Sequence, residues 1–235
     1  MYTLGVIADL HGNLVALDAV LEHMIEKYTV TKLVCLGDLV GYGPCPIQCI
    51  ERTFEVCTDV IKGNHDEAVS KGLIPDHFNP IATEASEWHI KQLQPWQEYK
   101  KRLYSLDPIL SFKYKRKNFS LIHGGPSFPM DEYINPDTKN FYELLPFMEL
   151  TQLDYLLLGH THKPYVRTVE EKMILNPGSV GQPRDNDPRA SYAIIDVDKM
   201  EAKIERVEYD INRVEAEIIK KGLPEDLAKR LYEGR

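Results

Sequence analysis

Side chains that can bind metal ions or move protons follow five apolar runs of the sequence. They are Asp9, His11, Asp38, Asn64, His65, His123, His160 and His162. The carboxyl ends of parallel strands meet at one edge of a sheet, so we expect these side chains to converge in one cleft. Imidazole, carboxylate and amide donors without a thiolate suit an octahedral pair of cations such as manganese or iron better than structural zinc.

The run Leu33–Leu36 leads directly into Gly37 and Asp38. An uninterrupted apolar run predicts a strand that is buried on both faces. A carboxylate at the end of such a strand is rare unless it is paired or holds a metal. We therefore predict that Asp38 bridges two metal ions.

The spacing of two other pairs also favours a metal site. In Asp9-Leu10-His11 the two polar residues alternate with an apolar one, as do the two histidines of His160-Thr161-His162. If the chain is extended there, both members of each pair lie on the same side. His65 is adjacent to Asn64, which leaves one imidazole for proton transfer.

Alternating strand and helix patterns predict an α/β protein with a parallel βαβαβ start. The predicted strands are residues 2–8, 32–36, 59–61, 109–114, 118–122, 155–158, 165–169, 173–176, 192–197 and 202–207. Residues 67–106 are expected to form a helical insert without chemistry of its own, interrupted at Pro95. A helix over 138–150 should break near Pro146, and closing helices should begin at about residue 212. We interpret residues 1–235 as one domain.

The charge and hydropathy of the 235-residue chain narrow the function classes. The formal net charge is -8, which argues against stable nucleic-acid binding. No apolar run approaches the roughly 18 residues of a membrane span, and no leader precedes the first strand, so we expect a cytoplasmic protein. A homo-oligomer formed through the C-terminal helices is compatible with the sequence.

Several common catalytic motifs are missing from the sequence. Neither a phosphate-binding glycine loop nor a dinucleotide fingerprint follows the first strand, and Ser179 lacks the spacing of a nucleophile elbow. A metal-binding regulatory protein without catalysis is an alternative. The adjacency of His65 to Asn64 argues against it, because binding alone does not need the second imidazole.

The motifs Asp9-x-His11, Gly37-Asp38, Gly63-Asn64-His65, His123 and Gly159-His160-Thr161-His162 resemble those of the calcineurin-like metallophosphoesterase superfamily. The resemblance implies a four-layer α/β/β/α sandwich, in which helices flank two mixed central sheets. It also implies two divalent metal ions, manganese or iron first, with nickel and zinc as alternatives. By motif match, one ion is held by Asp9, His11, Asp38 and His162, and the other by Asp38, Asn64, His123 and His160. A bridging hydroxide then attacks phosphorus in line, with His65 as the catalytic histidine.

Two departures from the family pattern concern the substrate. Protein phosphatases of the superfamily usually carry Asp-Arg where this chain has Gly41-Tyr42, and Glu where it has Asp66. The carboxylate that supports the catalytic histidine is therefore missing, and so is an arginine that would bind phosphate. Arg184 and Arg189 are candidates for that arginine, with surface salt bridges as the alternative. Asn64, Arg184 and Tyr42 are the predicted substrate contacts. We expect a small phosphodiester, nucleotide-type or phosphomonoester substrate; a protein Ser/Thr phosphatase is the second enzymatic alternative.

Overall fold

Two five-stranded sheets form the centre of the computed structural model, which describes residues 3–135 and 141–235. The first sheet has the order β10-β9-β1-β2-β3 and the second the order β4-β5-β6-β8-β7. The strands are β1 (Thr3–Ile7), β2 (Val30–Cys35), β3 (Asp59–Val60), β4 (Ile109–Tyr114), β5 (Lys117–Ile122), β6 (Tyr155–Leu158), β7 (Tyr165–Val169), β8 (Lys172–Asn176), β9 (Ala190–Asp196) and β10 (Glu201–Val207). In the first sheet β1, β2 and β3 are parallel, whereas β9 and β10 pair antiparallel. The second sheet has a parallel centre, β5-β6-β8, and antiparallel edge pairs. The predicted pair of mixed sheets is confirmed.

Eight helices flank the sheets in the described residues. They are α1 (Leu14–Lys27), α2 (Pro46–Val56), α3 (Asn64–Lys71), α4 (Pro80–Leu93), α5 (Gln97–Tyr104), α6 (Phe141–Leu150), α7 (Ile211–Lys220) and α8 (Glu225–Glu233). Helix α1 begins after Asn13, whose Oδ1 accepts a hydrogen bond from the main-chain N–H of Ala16 at 3.1 Å. This N-cap fixes where the polar loop after β1 ends.

Successive side chains along a strand point to opposite faces of its sheet and pack into different layers of the fold. Leu4 and Val6 of β1 lie between the two sheets, where they meet Phe119 and Leu121 of β5. Ile7 lies on the opposite face of β1, in the cluster shared with α1 and α2. The outer face of the second sheet packs against α6 in the same way. The predicted α/β/β/α sandwich is confirmed, and the strand ends of both sheets are held beside each other.

One predicted break is wrong. Helix α6 continues through Pro146, although a proline inside a helix costs about 3 kcal/mol. Pro146 is exposed, whereas Leu144 and Met148 are buried against the second sheet. Burying each such side chain contributes about 1.5–3 kcal/mol, which offsets the cost. The predictions that fall on Tyr2 and on residues 136–140 lie outside the described residues, and the single domain over 1–235 stays a prediction.

None of the helices in the described ranges combines the length and apolar character that crossing a bilayer requires.

Candidate metal centre

The carboxylate of Asp38 lies just beyond the carboxyl end of β2 and is 1% exposed. Its Oδ1 accepts a hydrogen bond from the main-chain N–H of His65 at 2.9 Å. Its Oδ2 lies 3.6 Å from Nε2 of His11 and 3.4 Å from Nε2 of His123. His11 follows a strand of the first sheet and His123 a strand of the second. A single carboxylate oxygen therefore faces ligand-type groups from both sheets.

The other predicted ligands surround Asp38 in overlapping sets. In each set the donor atoms all lie within 4.8 Å of one another. The sets are Asp9, His11 and His162; Asp38, His123 and His160; and His11, Asp38 and His65. Asn64 lines the same cavity as Asp38, and its Oδ1 is buried without a hydrogen bond. The structure thus brings together all seven predicted ligands.

Hydrogen bonds to main-chain carbonyls orient three of the histidines. Nδ1 of His11, His123 and His162 is the atom that makes these bonds. The carbonyl partners are those of Val40, Leu36 and Gln182, at 2.9, 2.7 and 2.5 Å respectively. A carbonyl only accepts, so Nδ1 carries a proton in all three rings and Nε2 is the nitrogen left to bind a cation. This is the arrangement that a metal-binding imidazole needs.

Several buried atoms of the cluster lack a suitable hydrogen-bond partner within the protein. Nε2 of His11 and Nε2 of His162 lie 3.1 Å apart, and burial lowers the pKa of both histidines well below the usual range. Two lone pairs therefore face each other. Four further atoms are buried without a hydrogen bond: Asp9 Oδ2, Asn64 Oδ1, His123 Nε2 and His160 Nε2. Because buried polar groups are normally satisfied, these residues fit divalent cations.

The electrostatics of the cluster also favour a positive charge. Burial disfavours the charged form of His123, but the carboxylates of Asp38 and Asp9 outweigh it and raise the pKa of His123 to about 10. Burial raises the pKa of Asp9 to about 7, and the charge of Asp38 acts in the same direction. Two buried carboxylates share this site, and a cation would relieve the repulsion between them.

The backbone at the predicted ligands is not extended, contrary to the expectation for the Asp9–His11 and His160–His162 pairs. Five ligands have a positive φ: Asp9 54°, His11 46°, Asp38 56°, His160 66° and His162 58°. Residues with side chains rarely adopt this left-handed region, and it persists only where neighbouring contacts fix it. One such contact is the hydrogen bond from the N–H of His11 to the carbonyl of Asp38, at 2.9 Å. Successive left-handed turns, and not strand alternation, therefore bring the paired ligands together.

Asp66 is a residue that the sequence analysis did not single out for a role. It is fully buried in α3, and its carboxylate accepts hydrogen bonds from four main-chain N–H groups. The donors belong to Asp38, Leu39, Val40 and Gly63, at 2.7, 2.9, 3.2 and 3.1 Å. Asp66 thus ties the loop that carries Asp38 to the start of α3. The available signal was its position three residues after Gly63, where an acidic side chain caps a helix.

Glycine is required where β3 turns into α3. A Cβ at Gly63 would lie 2.1 Å from Oδ1 of Asp38, so no larger residue fits without moving that carboxylate. Asn64 and His65 are the first residues of α3, and the close approach at Gly63 brings them beside Asp38.

The predicted catalytic histidine, His65, is buried beside this cluster. Its ring centroid lies 5.0 Å from that of His11, 4.7 Å from that of Tyr42 and 4.6 Å from that of Phe78. Burial lowers the pKa of His65 to about 4, which keeps the ring neutral. Nδ1 of His65 is buried without a hydrogen bond. Gly41 occupies the position at which protein phosphatases of the superfamily carry the supporting aspartate, and a Cβ at Gly41 would lie 2.5 Å from this Nδ1.

A cavity of about 350 Å³ opens over the cluster. Tyr42 and Arg184 line it, as predicted for substrate contacts, and the guanidinium of Arg184 lies 5.6 Å from the centroid of the Tyr42 ring. Arg189 is not among the lining residues; its guanidinium pairs with Asp187 at 2.7 Å on the surface. The salt-bridge alternative therefore describes Arg189, and Arg184 alone of the two lies in the cavity.

The helical insert does contribute to the site, contrary to the expectation that it carries no chemistry. Phe78, in the loop before α4, forms part of the cavity wall. His89 of α4 is fully buried, and its Nδ1 accepts a hydrogen bond from the N–H of Gly41 at 3.0 Å while Nε2 donates to the carbonyl of Gly43 at 2.8 Å. The sequence did not predict these hydrogen bonds, because the apolar stripe of the insert does not indicate which loop its polar residues contact.

Comparisons with known proteins agree with this geometry. A family model described as the calcineurin-like phosphoesterase superfamily domain matches residues 2–200. An uncharacterized protein of Methanocaldococcus jannaschii is 37% identical over 99% of this chain and 98% of its own length. Phosphodiesterase YfcE of Escherichia coli K12 is 32% identical over 81% of this chain and 85% of its own.

A solved structure resembles the whole chain. The crystal structure of a metallophosphoesterase from Sphaerobacter thermophilus has a TM-score of 0.83 and 36% identity, covering 100% of this chain and 99% of that one. With the ligand-type cluster and the fold, the family match over most of the sequence shows that this chain is a phosphoric ester hydrolase and belongs to the calcineurin-like phosphoesterase superfamily.

Proposed function

We propose that the chain is a dinuclear metal-dependent phosphoesterase that hydrolyses a small phosphodiester, a nucleotide-type ester or a phosphomonoester. The observation that carries the proposal is the position of Asp38 Oδ2 between the imidazoles of His11 and His123. A carboxylate oxygen placed between two sets of nitrogen and oxygen donors is suited to a pair of neighbouring cations.

The two donor sets divide the proposed ligands between the ions. Asp9, His11, Asp38 and His162 would hold one ion, and Asp38, Asn64, His123 and His160 would hold the other. The unpartnered atoms of Asn64 and His160 support the second set, and the facing lone pairs of His11 and His162 support the first. Manganese or iron suits these donors, and nickel or zinc is compatible with them. Bound there, the ions would supply the Lewis acidity and positive charge that phosphate-ester hydrolysis requires.

His65 is the proposed catalytic residue. Its ring is neutral at physiological pH because burial lowers its pKa to about 4. A neutral imidazole donates a hydrogen bond through its protonated nitrogen without adding a charge. Since the ring lines the cavity beside Asp38, we propose that it donates to a phosphoryl or leaving-group oxygen as negative charge develops there.

Arg184 is the proposed phosphate-binding residue. Its Nη2 donates to Oε1 of Gln182 at 2.8 Å, which holds the guanidinium over the Tyr42 ring. A guanidinium in this position can bind two phosphate oxygens at once. The cavity of about 350 Å³ is of the size that proteins use for small molecules, which favours a small ester over a phosphoprotein.

Paired substitutions test the proposal. Asp38→Asn should abolish turnover and lower the amount of bound metal, because it removes the shared charge. His65→Ala should keep the metal and lower kcat by about 10²–10³-fold, the usual cost of losing one hydrogen-bond donor to a developing negative charge. Asp198→Asn, in the exposed turn between β9 and β10, is the matched control and should change neither.

The assay is release of p-nitrophenol from p-nitrophenyl mono- and diesters with Mn²⁺, with and without a chelator, alongside metal content by mass spectrometry. Absence of metal-dependent release would favour a non-catalytic metal-binding protein. The His65→Ala variant is also tested on an ester with a poor leaving group. Wild-type turnover of both kinds of ester by this variant would contradict the assignment of His65 as the catalytic residue. Preference for phosphopeptides in a parallel panel would favour a protein phosphatase.

A further inference from the structure

A second cavity adjoins the proposed catalytic pocket. It has a volume of about 690 Å³ and lies between the start of α4 and helix α8. Asn79 lines both cavities, which therefore adjoin at this residue, and the two together are called the groove below. Arg184 lies in the first part of this groove and Arg230 of α8 in the second.

Among the described residues, neither of these two guanidiniums forms an ion pair with a carboxylate side chain. Arg184 donates to the amide oxygen of Gln182, and Nε of Arg230 donates at 2.9 Å to a main-chain carboxylate oxygen of Arg235, the last residue of the sequence, which leaves the Nη donors of Arg230. The neighbouring cations behave differently. Lys229 pairs with Asp226 at 3.1 Å, and the side chain of Arg235 pairs with Glu233. Arg184 and Arg230 therefore keep donors for an external anion.

The two arginines also repel each other. Burial lowers the pKa of Arg230, and the charge of Arg184 lowers it further. Holding two like charges together in a partly buried groove is unfavourable unless an anion binds near both. Guanidinium groups bind phosphate through paired, charge-assisted hydrogen bonds, which makes a phosphate group the fitting anion.

We propose that Arg230 forms a second phosphate subsite beside the scissile phosphate that Arg184 binds, so that the preferred substrate is a phosphate ester whose organic part carries another phosphate group. The inference rests on the proposed function, because it names the substrate class of the same site. The scissile phosphate lies over Asp38, and the second phosphate lies in the groove toward α8.

A matched pair of esters tests the subsite. The substrates are thymidine 5′-(p-nitrophenyl phosphate) and the same ester with a phosphate on the 3′ oxygen, assayed with Mn²⁺. The wild-type protein should prefer the second ester by about tenfold or more in kcat/KM, mainly through KM, since hydrogen bonds to a charged group typically contribute that much. Arg230→Gln should remove most of this preference, and Arg230→Lys should restore part of it.

Lys220→Gln is the control variant, because it removes one positive charge from helix α7 at a side chain that is 73% exposed, paired with Glu217 and outside both cavities. It should leave the preference intact. An Arg230→Gln variant with the wild-type ratio, or a wild-type protein that hydrolyses both esters equally well, would overturn the subsite.

A binding measurement separates failure of the subsite from failure of the proposed function. Calorimetry compares thymidine 3′,5′-bisphosphate with thymidine 5′-monophosphate on the wild-type protein and on Arg230→Gln. Tighter binding of the bisphosphate that is lost in the variant supports the subsite without any turnover. If neither ester is hydrolysed, the proposed function fails, and this binding comparison alone decides the subsite.

Discussion

The buried carboxylate of Asp66 determines where the carboxylate of Asp38 lies. Asp66 accepts hydrogen bonds from four main-chain N–H groups, three of which belong to the consecutive residues 38–40. These bonds fix the loop in which Asp38 has a φ of 56°. A carboxylate is required for this, since both of its oxygens only accept. Asp66 is therefore a positioning residue for Asp38.

The substitution Asp66→Asn tests this role. The amide keeps one acceptor, but its NH₂ group would face the N–H groups of Asp38 and Gly63, leaving donors buried without acceptors. Each unsatisfied group costs about 1–3 kcal/mol, so we expect the free energy of unfolding in urea to fall by about 2–4 kcal/mol. Metal affinity should fall as well, because Asp38 shifts.

The control for this experiment is Asp226→Asn on α8. Asp226 is 63% exposed and pairs only with Lys229 in the described structure, so its loss should change stability by less than about 0.5 kcal/mol. Equal stability and equal metal affinity in Asp66→Asn and wild type would show that the four hydrogen bonds do not position Asp38.

At the scale of elements, helix α4 supports a loop that is distant in sequence. His89 accepts from Gly41 and donates to Gly43, on either side of Tyr42, whose φ is 60°. The imidazole spans the two main-chain groups and so holds the Tyr42 ring against His65. An insert that buries its apolar stripe thereby also shapes one wall of the cavity.

The substitution His89→Phe removes both hydrogen bonds while keeping a planar ring. We expect stability to fall by about 1–3 kcal/mol at neutral pH and kcat to fall because His65 and Tyr42 are no longer held. Urea unfolding and p-nitrophenyl ester kinetics measure the two effects. Glu87→Gln, at an exposed position of the same helix, should alter neither.

This variant also has a defined pH dependence. Burial lowers the pKa of His89 from 6.5 to about 3. Between these two pH values, His89 is protonated in the unfolded chain but neutral in the folded protein. The stabilisation by the neutral ring is complete above pH 6.5 and is lost as pH falls toward 3. The stability difference between wild type and His89→Phe, measured without metal, should therefore shrink over that interval. A difference that grows on acidification would contradict the neutral assignment.

At the scale of the whole molecule, the sequence predicted the convergence of strand ends but not how the chain turns there. Apolar runs reveal strands because their residues are buried on both faces, and the polar residue after each run marks the strand end. The left-handed turns at Asp9 and His11 carry no such signal, because the residues are not glycine. Contacts between distant segments, such as His89 with Gly41 or Arg230 with the groove, depend on packing that periodicity does not encode.

The proposed ligands also join the two sheets. Asp9, His11, Asp38 and Asn64 follow strands of the first sheet, whereas His123, His160 and His162 follow strands of the second. Each donor set that includes His162 or His160 combines both sheets. Cations bound there would therefore link the two layers as well as provide the chemistry.

Metal removal should accordingly lower the thermal stability of the whole molecule. A cation at one hundred times its Kd stabilises the folded state by about 2.7 kcal/mol, and a domain of this size gains about 2–4 °C in Tm for each kcal/mol. We expect Mn²⁺ to raise Tm by roughly 5–10 °C over chelator-treated protein, as followed by calorimetry. Asp38→Asn should respond much less because it lacks the shared charge, whereas Asp198→Asn should respond fully. Identical Tm values for metal-free and Mn²⁺-loaded wild-type protein would mean that ion binding does not connect the two sheets.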